Sequence, residues 1–121
     1  MTDNILIIDG EPDVGKALER VLKERGFPCH NSVSAQEAID LMKQVRFKMA
    51  FLDLKLPDMR GIELARKLKS IDPTISIVAV SGNTQEEVDN PDLRMDREIF
   101  DACILKPYLN KAIHDAVDTF L

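Results

Sequence analysis

The feature that most constrains this chain is a succession of short apolar runs, each released into a polar side chain. Ile5–Ile8 runs into Asp9, Met49–Leu52 into Asp53, Ile75–Val80 into Ser81 and Ala102–Leu105 into Lys106. Runs this short, bounded by turn residues, read as strands buried on both faces of a sheet. Between them lie stretches of helical spacing. Val14, Ala17, Leu18, Val21 and Leu22 make one stripe, and Ala38, Ile39, Leu41, Met42 and Val45 a second. Ile62, Ala65 and Leu68 make a third, and Leu109, Ala112, Ile113, Ala116, Val117 and Phe120 close the chain with another. Strand and helix in alternation imply a parallel sheet covered on both faces, because parallel neighbours need crossover connections and these are right-handed.

Local punctuation sharpens the boundaries. Pro12 suits the first turn of a helix, where its missing N–H would have had no partner, and Gly26 stops that helix. Phe27 to Val33 carries Pro28, His30 and Asn31 and is predicted to be a short edge strand. Ser34 and Glu37 form a capping box ahead of the second helix. Pro57 to Arg60 reads as a turn, a helix follows from about Gly61, and Asp72-Pro73 ends it. Thr84 and Glu87 offer another capping box, but Asn90-Pro91 breaks the pattern and residues 92–101 are charged and aperiodic, so an irregular region is expected there.

At 121 residues the chain is long enough for one core and is read as a single domain over 1–121. Its formal net charge of -5 speaks against direct nucleic-acid contact, which requires a basic surface. No apolar run approaches the ~18 residues of a membrane span. Cys29 and Cys103 suit reduced thiols, and a cytoplasmic protein is expected. His30 and His114 have no metal-ligand spacing with each other or with either cysteine, so both are read as structural or surface residues. Asp13 and Asp58 are read as turn or cap residues, and Tyr108 as a packing residue.

In open α/β sheets ligands bind beyond the carboxyl ends of the strands. The residues delivered to that rim are Asp9, Asp53, Ser81 and Lys106: two acids, a hydroxyl and an ammonium. Two neighbouring carboxylates repel and call for a cation, either a hard divalent ion or the Lys106 ammonium. A carboxylate can also act as nucleophile toward a phosphoryl group, with Mg²⁺ and Lys106 neutralising the phosphoryl oxygens and the Ser81 hydroxyl donating to one of them.

Taken together, Asp9, Glu11 and Pro12 after the first run, Asp53 with Leu56, Pro57, Asp58, Met59 and Gly61 after the third, Ser81-Gly82, and Lys106-Pro107-Tyr108 resemble the receiver domain of a two-component response regulator over essentially the whole chain. The resemblance implies a flavodoxin-like (βα)5 three-layer sandwich with a five-stranded parallel sheet of order 2-1-3-4-5. It implies that Asp53 accepts a phosphoryl group from a sensor histidine kinase or phosphotransfer protein, assisted by Ser81 and Lys106. Mg²⁺ would be held by Asp9, Asp53 and the backbone carbonyl of Lys55, with Glu11 a further candidate ligand. Phosphorylation would change the face offered to an output domain or partner protein, with no turnover in the enzymatic sense.

Two positions depart from the pattern. Family members usually carry a second acid where Gly10 stands, which predicts weak Mg²⁺ binding, and an aromatic gate where Cys103 stands. These departures lend weight to an interaction module that no longer depends on phosphorylation. An aspartyl phosphatase is disfavoured because Lys55 occupies the place of its general acid, and a flavodoxin-like cofactor binder because the first turn carries Asp9, Glu11 and Asp13 rather than a phosphate-cradling loop.

Overall fold

The computed structural model describes residues 5–54, 56–81, 99–105 and 110–120. Their elements run β1 (Ile5–Ile8), α1 (Pro12–Glu24), β2 (Cys29–Ser32), α2 (Ala35–Gln44), β3 (Met49–Asp53), α3 (Gly61–Ile71), β4 (Ser76–Ser81), β5 (Ala102–Leu105) and a fourth described helix, α4 (Asn110–Phe120). The expected alternation of strand and helix around a parallel sheet is observed. Every pairing is parallel, and the strands lie in the order β2-β1-β3-β4-β5. Of the stretch from the Thr84 capping box through the irregular region expected at 92–101, residues 84–98 lie outside the described residues.

Strand alternation divides the core in two. Leu6 and Ile8 of β1, Ala50 and Leu52 of β3, and Ile77 and Ala79 of β4 pack with the apolar stripes of α2 and α3. Ile5 and Ile7, Met49 and Phe51, Val78 and Val80 face the other way and pack with Leu18, Leu22, Ile113, Ala116 and Val117 of α1 and α4. Leu22, Leu52, Leu64 and Leu68 are fully enclosed, each contributing on the order of 2 kcal/mol by leaving water. A sheet buried on both faces has no solvent side, so its strands read as unbroken apolar runs.

The boundaries follow from side-chain and backbone chemistry. Pro12 opens α1, and Gly26 closes it with φ +84, a conformation that costs a residue with a Cβ. The Gly26 N–H donates to the Lys23 carbonyl at 2.9 Å and the Phe27 N–H to the Leu22 carbonyl at 3.1 Å, so the last turn of α1 ends on a paired 5→2 and 6→1 bond. Ser34 caps α2, its Oγ accepting the Glu37 N–H at 3.2 Å. β2 lies at the edge, paired with β1 from Ile5↔Cys29 to Ile8↔Ser32, as its polar and proline-flanked sequence led one to expect.

Candidate functional site

The register sets the site. Ile8 pairs with Leu52, so Asp9 and Asp53 are the next residues along two adjacent strands, roughly 4.8 Å apart as strand axes. Both fall on the parity of the α1/α4 face, two residues beyond Ile7 and Phe51. Asp9 is only 4% exposed and Asp53 only 6%, the two buried carboxylates among the described residues. Enclosing an acid costs free energy that apolar packing does not return, so two at one edge mark a place where the fold accepts a cost for chemistry.

Backbone bonds fix both positions. The Asp9 N–H donates to the Ser32 carbonyl and the Leu54 N–H, just after Asp53, donates to the Val80 carbonyl, each at 3.1 Å. The Asp9 carboxylate accepts the Glu11 N–H at 2.9 Å through Oδ1. This closes the first turn and aims the Asp9 side chain along the rim. Ser81 ends β4 in register with Leu105, placing its backbone on the same edge of the sheet. Lys55 and Lys106, together with Asn83 and Tyr108, lie outside the described residues.

Glu11 is not drawn into the site. It occupies the N-cap position of α1 in extended conformation with its side chain exposed, and what it gives Asp9 is its backbone N–H. Among the described residues no group of three His, Cys, Asp or Glu side chains is gathered to hold a metal ion. Asp9 and Asp53 nonetheless meet the smallest donor set a hard ion of the Mg²⁺ type takes, since such ions bind through one or two carboxylates and keep several waters.

The segment leaving Asp53 is anchored at two points. A Cβ on Gly61 would stand 2.8 Å from the Cα of Leu54, so the start of α3 lies against the backbone next to the buried acid. Asp58 reaches in another direction. Its Oδ1 accepts the Ala35 N–H at 2.9 Å and its Oδ2 the Gln36 N–H at 3.1 Å. These amide bonds hold the Asp58 carboxyl below its usual range. Sequence reasoning placed Asp58 in a turn or cap, and it is a cap, but of α2, an element that precedes it by more than twenty residues. No local pattern announces this; the only hint is that a helix has more orphan donors than Ser34 can satisfy.

The remaining candidates are structural. His30 packs edge-on against Phe47, ring centroids 5.3 Å apart, and its buried Nδ1 has no hydrogen-bond partner. The Cys29 thiol is pushed up to about 11 by burial, and then by Glu19, which suits an inert reduced thiol. A hollow of ≈ 410 Å³ lined by Met42, Arg46, Phe47, Ile71 and Asp72 lies at the amino-terminal edge of the strands, away from the paired acids. No helix among the described residues is long and apolar enough to cross a membrane.

Comparison with known proteins agrees with this geometry. Residues 5–118 match the family described as the response regulator receiver domain. Sporulation initiation phosphotransferase F of Bacillus subtilis is 28% identical over 81 residues, covering 67% of this chain and 65% of that protein. The transcriptional regulatory protein SrrA of Staphylococcus aureus is 32% identical over 90 residues, covering 74% of this chain but 37% of its own length. The chain therefore spans less than two thirds of either relative. Among solved structures, a CheY-like receiver domain protein from Methanospirillum hungatei superposes with a TM-score of 0.86 at 24% identity, covering 98% of this chain and 93% of that one. TrrA from Thermotoga maritima, solved in complex with Mg²⁺-BeF, gives a TM-score of 0.85 at 19% identity, covering 99% and 100%.

Proposed function

The chain belongs to the response regulator receiver domain family of two-component signalling, and from that membership we propose that Asp53 is its phosphoacceptor. The observation that carries this is the pair of buried carboxylates, Asp9 and Asp53, at the in-register ends of β1 and β3.

A carboxylate oxygen of Asp53 attacks the phosphorus of a phosphohistidine on a sensor kinase or phosphotransfer protein. The new O–P bond forms as the P–N bond breaks, and the imidazole leaves with that electron pair and takes up a proton. Asp53 then carries an acyl phosphate. Asp9, Asp53 and the Lys55 carbonyl would hold Mg²⁺, which would supply positive charge for the transferring oxygens. The Glu11 N–H holds one Asp9 oxygen and so fixes the orientation of its carboxyl group. Lys106 offsets charge on the phosphoryl group and Ser81 donates a hydrogen bond to it. With Gly10 in place of a second acid, Mg²⁺ affinity is low. The protein works in the cytoplasm, and an output domain or separate partner reads the phosphorylated face.

Incubation with acetyl phosphate and Mg²⁺, followed by intact-mass measurement, tests this. The expected result is a gain of one phosphoryl group that Asp53→Asn abolishes. No gain at any Mg²⁺ concentration, or a gain that survives Asp53→Asn, overturns the proposal.

A further inference from the structure

The N-terminus of α2 is satisfied from two directions. Ser34 supplies the local part, with its Oγ on the Glu37 N–H and its carbonyl on the Ala38 N–H at 3.2 Å. The Ala35 and Gln36 N–H groups are taken by a residue of a different turn, Asp58, one carboxylate oxygen each. A carboxylate on successive amides at a helix N-terminus is favoured by charge-assisted bonds and by the helix dipole. The same contact seen from Asp58 is a tether. It fixes the middle of the turn that begins at Asp53, while Gly61 fixes its far end against Leu54.

We propose that Asp58 is a positioning residue for phosphoryl transfer: by clamping the turn after Asp53 onto the first amides of α2, it holds the backbone that flanks the acceptor in a geometry able to take the metal. This rests on the reading of Asp53 as phosphoacceptor. The alternative is that Asp58 serves α2 alone, as a cap that happens to come from elsewhere. The two differ in what Ser34 should do, since Ser34 caps the same helix through bonds to the Glu37 and Ala38 N–H groups of α2 itself.

The experiment compares Asp58→Ala, Asp58→Asn and Ser34→Ala with the unmodified protein. Amide hydrogen exchange is followed at Leu54, whose N–H donates to Val80, and the Mg²⁺ concentration for half-maximal beryllofluoride binding is measured alongside. Asp58→Ala is expected to speed exchange at Leu54 by about tenfold, the size of a lost cap, and to raise the Mg²⁺ requirement several-fold. Asp58→Asn, which keeps one acceptor oxygen, falls between. Ser34→Ala affects the amides of α2 and leaves both readouts near the unmodified values. The proposal is overturned if Ser34→Ala reproduces the Asp58→Ala shifts, if Leu54 exchange does not respond to Asp58→Ala, or if it responds while the Mg²⁺ requirement does not. An unmodified protein that binds no beryllofluoride removes the phosphoacceptor reading instead, and the exchange comparison still decides whether the clamp exists.

Discussion

Two turns leave the acid-bearing edge of the sheet on adjacent strands, and they are held in opposite ways. The turn after β1 is short and closes on itself: Asp9 takes the Glu11 N–H, Pro12 has none to offer, and the Glu11 carbonyl accepts from Val14 and Gly15. The turn after β3 is longer, and α3 begins at Gly61 after an N-cap residue, Arg60, whose side chain makes no capping bond. It leans on its surroundings, through Gly61 on Leu54 and Asp58 on α2. The lesson is that an acid can be fixed by its own turn or by a neighbouring element. The second arrangement ties the backbone beyond the acid to α2, an element from an earlier part of the chain.

The largest effect is expected where the second turn meets the sheet. Gly61→Ala brings a methyl group against the backbone of Leu54, which has no flexible end to withdraw, and costs about 1–3 kcal/mol. Gly15→Ala in α1 is the control. Its nearest contact, at 2.7 Å, is the Oδ1 of Asn31, the far end of a side chain that donates to Glu19 and can shift with it, and the gain in helix propensity of about 0.5–1 kcal/mol offsets the adjustment. Urea unfolding of both variants checks this. Equal losses would mean that the two helices approach the sheet alike and that the contrast between the turns is wrong.

A second, smaller effect concerns the self-closed turn. Among the described residues only Gly26 has a left-handed φ, so nothing in the backbone at Gly10 demands a glycine. Gly10→Asp is expected to tighten Mg²⁺ binding by about tenfold, the order by which an added ligand charge tunes such sites. It should also lower stability without metal, because a third acid joins two buried ones. Isothermal titration with Mg²⁺ and melting with and without the ion are the measurements. Tight binding by the unmodified protein, unchanged by the substitution, would show that Asp9 and Asp53 suffice.

What could be read from the sequence tracks how local each cause is. The strands were legible because a sheet buried on both faces needs unbroken apolar runs, and Asp9 and Asp53 because each ends such a run. Gly26 was legible as a stop because its φ is a property of one residue. β4 runs Ser76–Ser81 rather than starting at Ile75, whose N–H instead bonds Asp72 in the preceding turn. Gly15 has no local signal of its role, since its near neighbour is Asn31 on β2. Asp58 could not be assigned its helix at all, because its partners, Ala35 and Gln36, lie on an element already completed in the chain. Glu11 entered as a further candidate ligand because Gly10 replaces an acid, and its exposed N-cap position is a feature that spacing does not show.

The smallest effect isolates the external tether by pH. The amides of Ala35 and Gln36 hold the Asp58 carboxyl below its ordinary value. A group whose folded pKa is depressed contributes stability that is fully present above the unfolded pKa and disappears as pH falls through the folded one. The unmodified protein should therefore melt above Asp58→Asn at neutral pH, and the gap should begin to close below about pH 4, where an ordinary aspartate protonates. Asp72, held low chiefly by its bonds to Thr74, titrates in both proteins and cancels in the difference. Melting temperatures of the pair from neutral pH to about pH 3 give the curve. A gap that stays constant through that range would mean that the carboxylate charge is not what binds the turn to α2, and the contrast between a self-closed and a tethered turn would reduce to a difference in length.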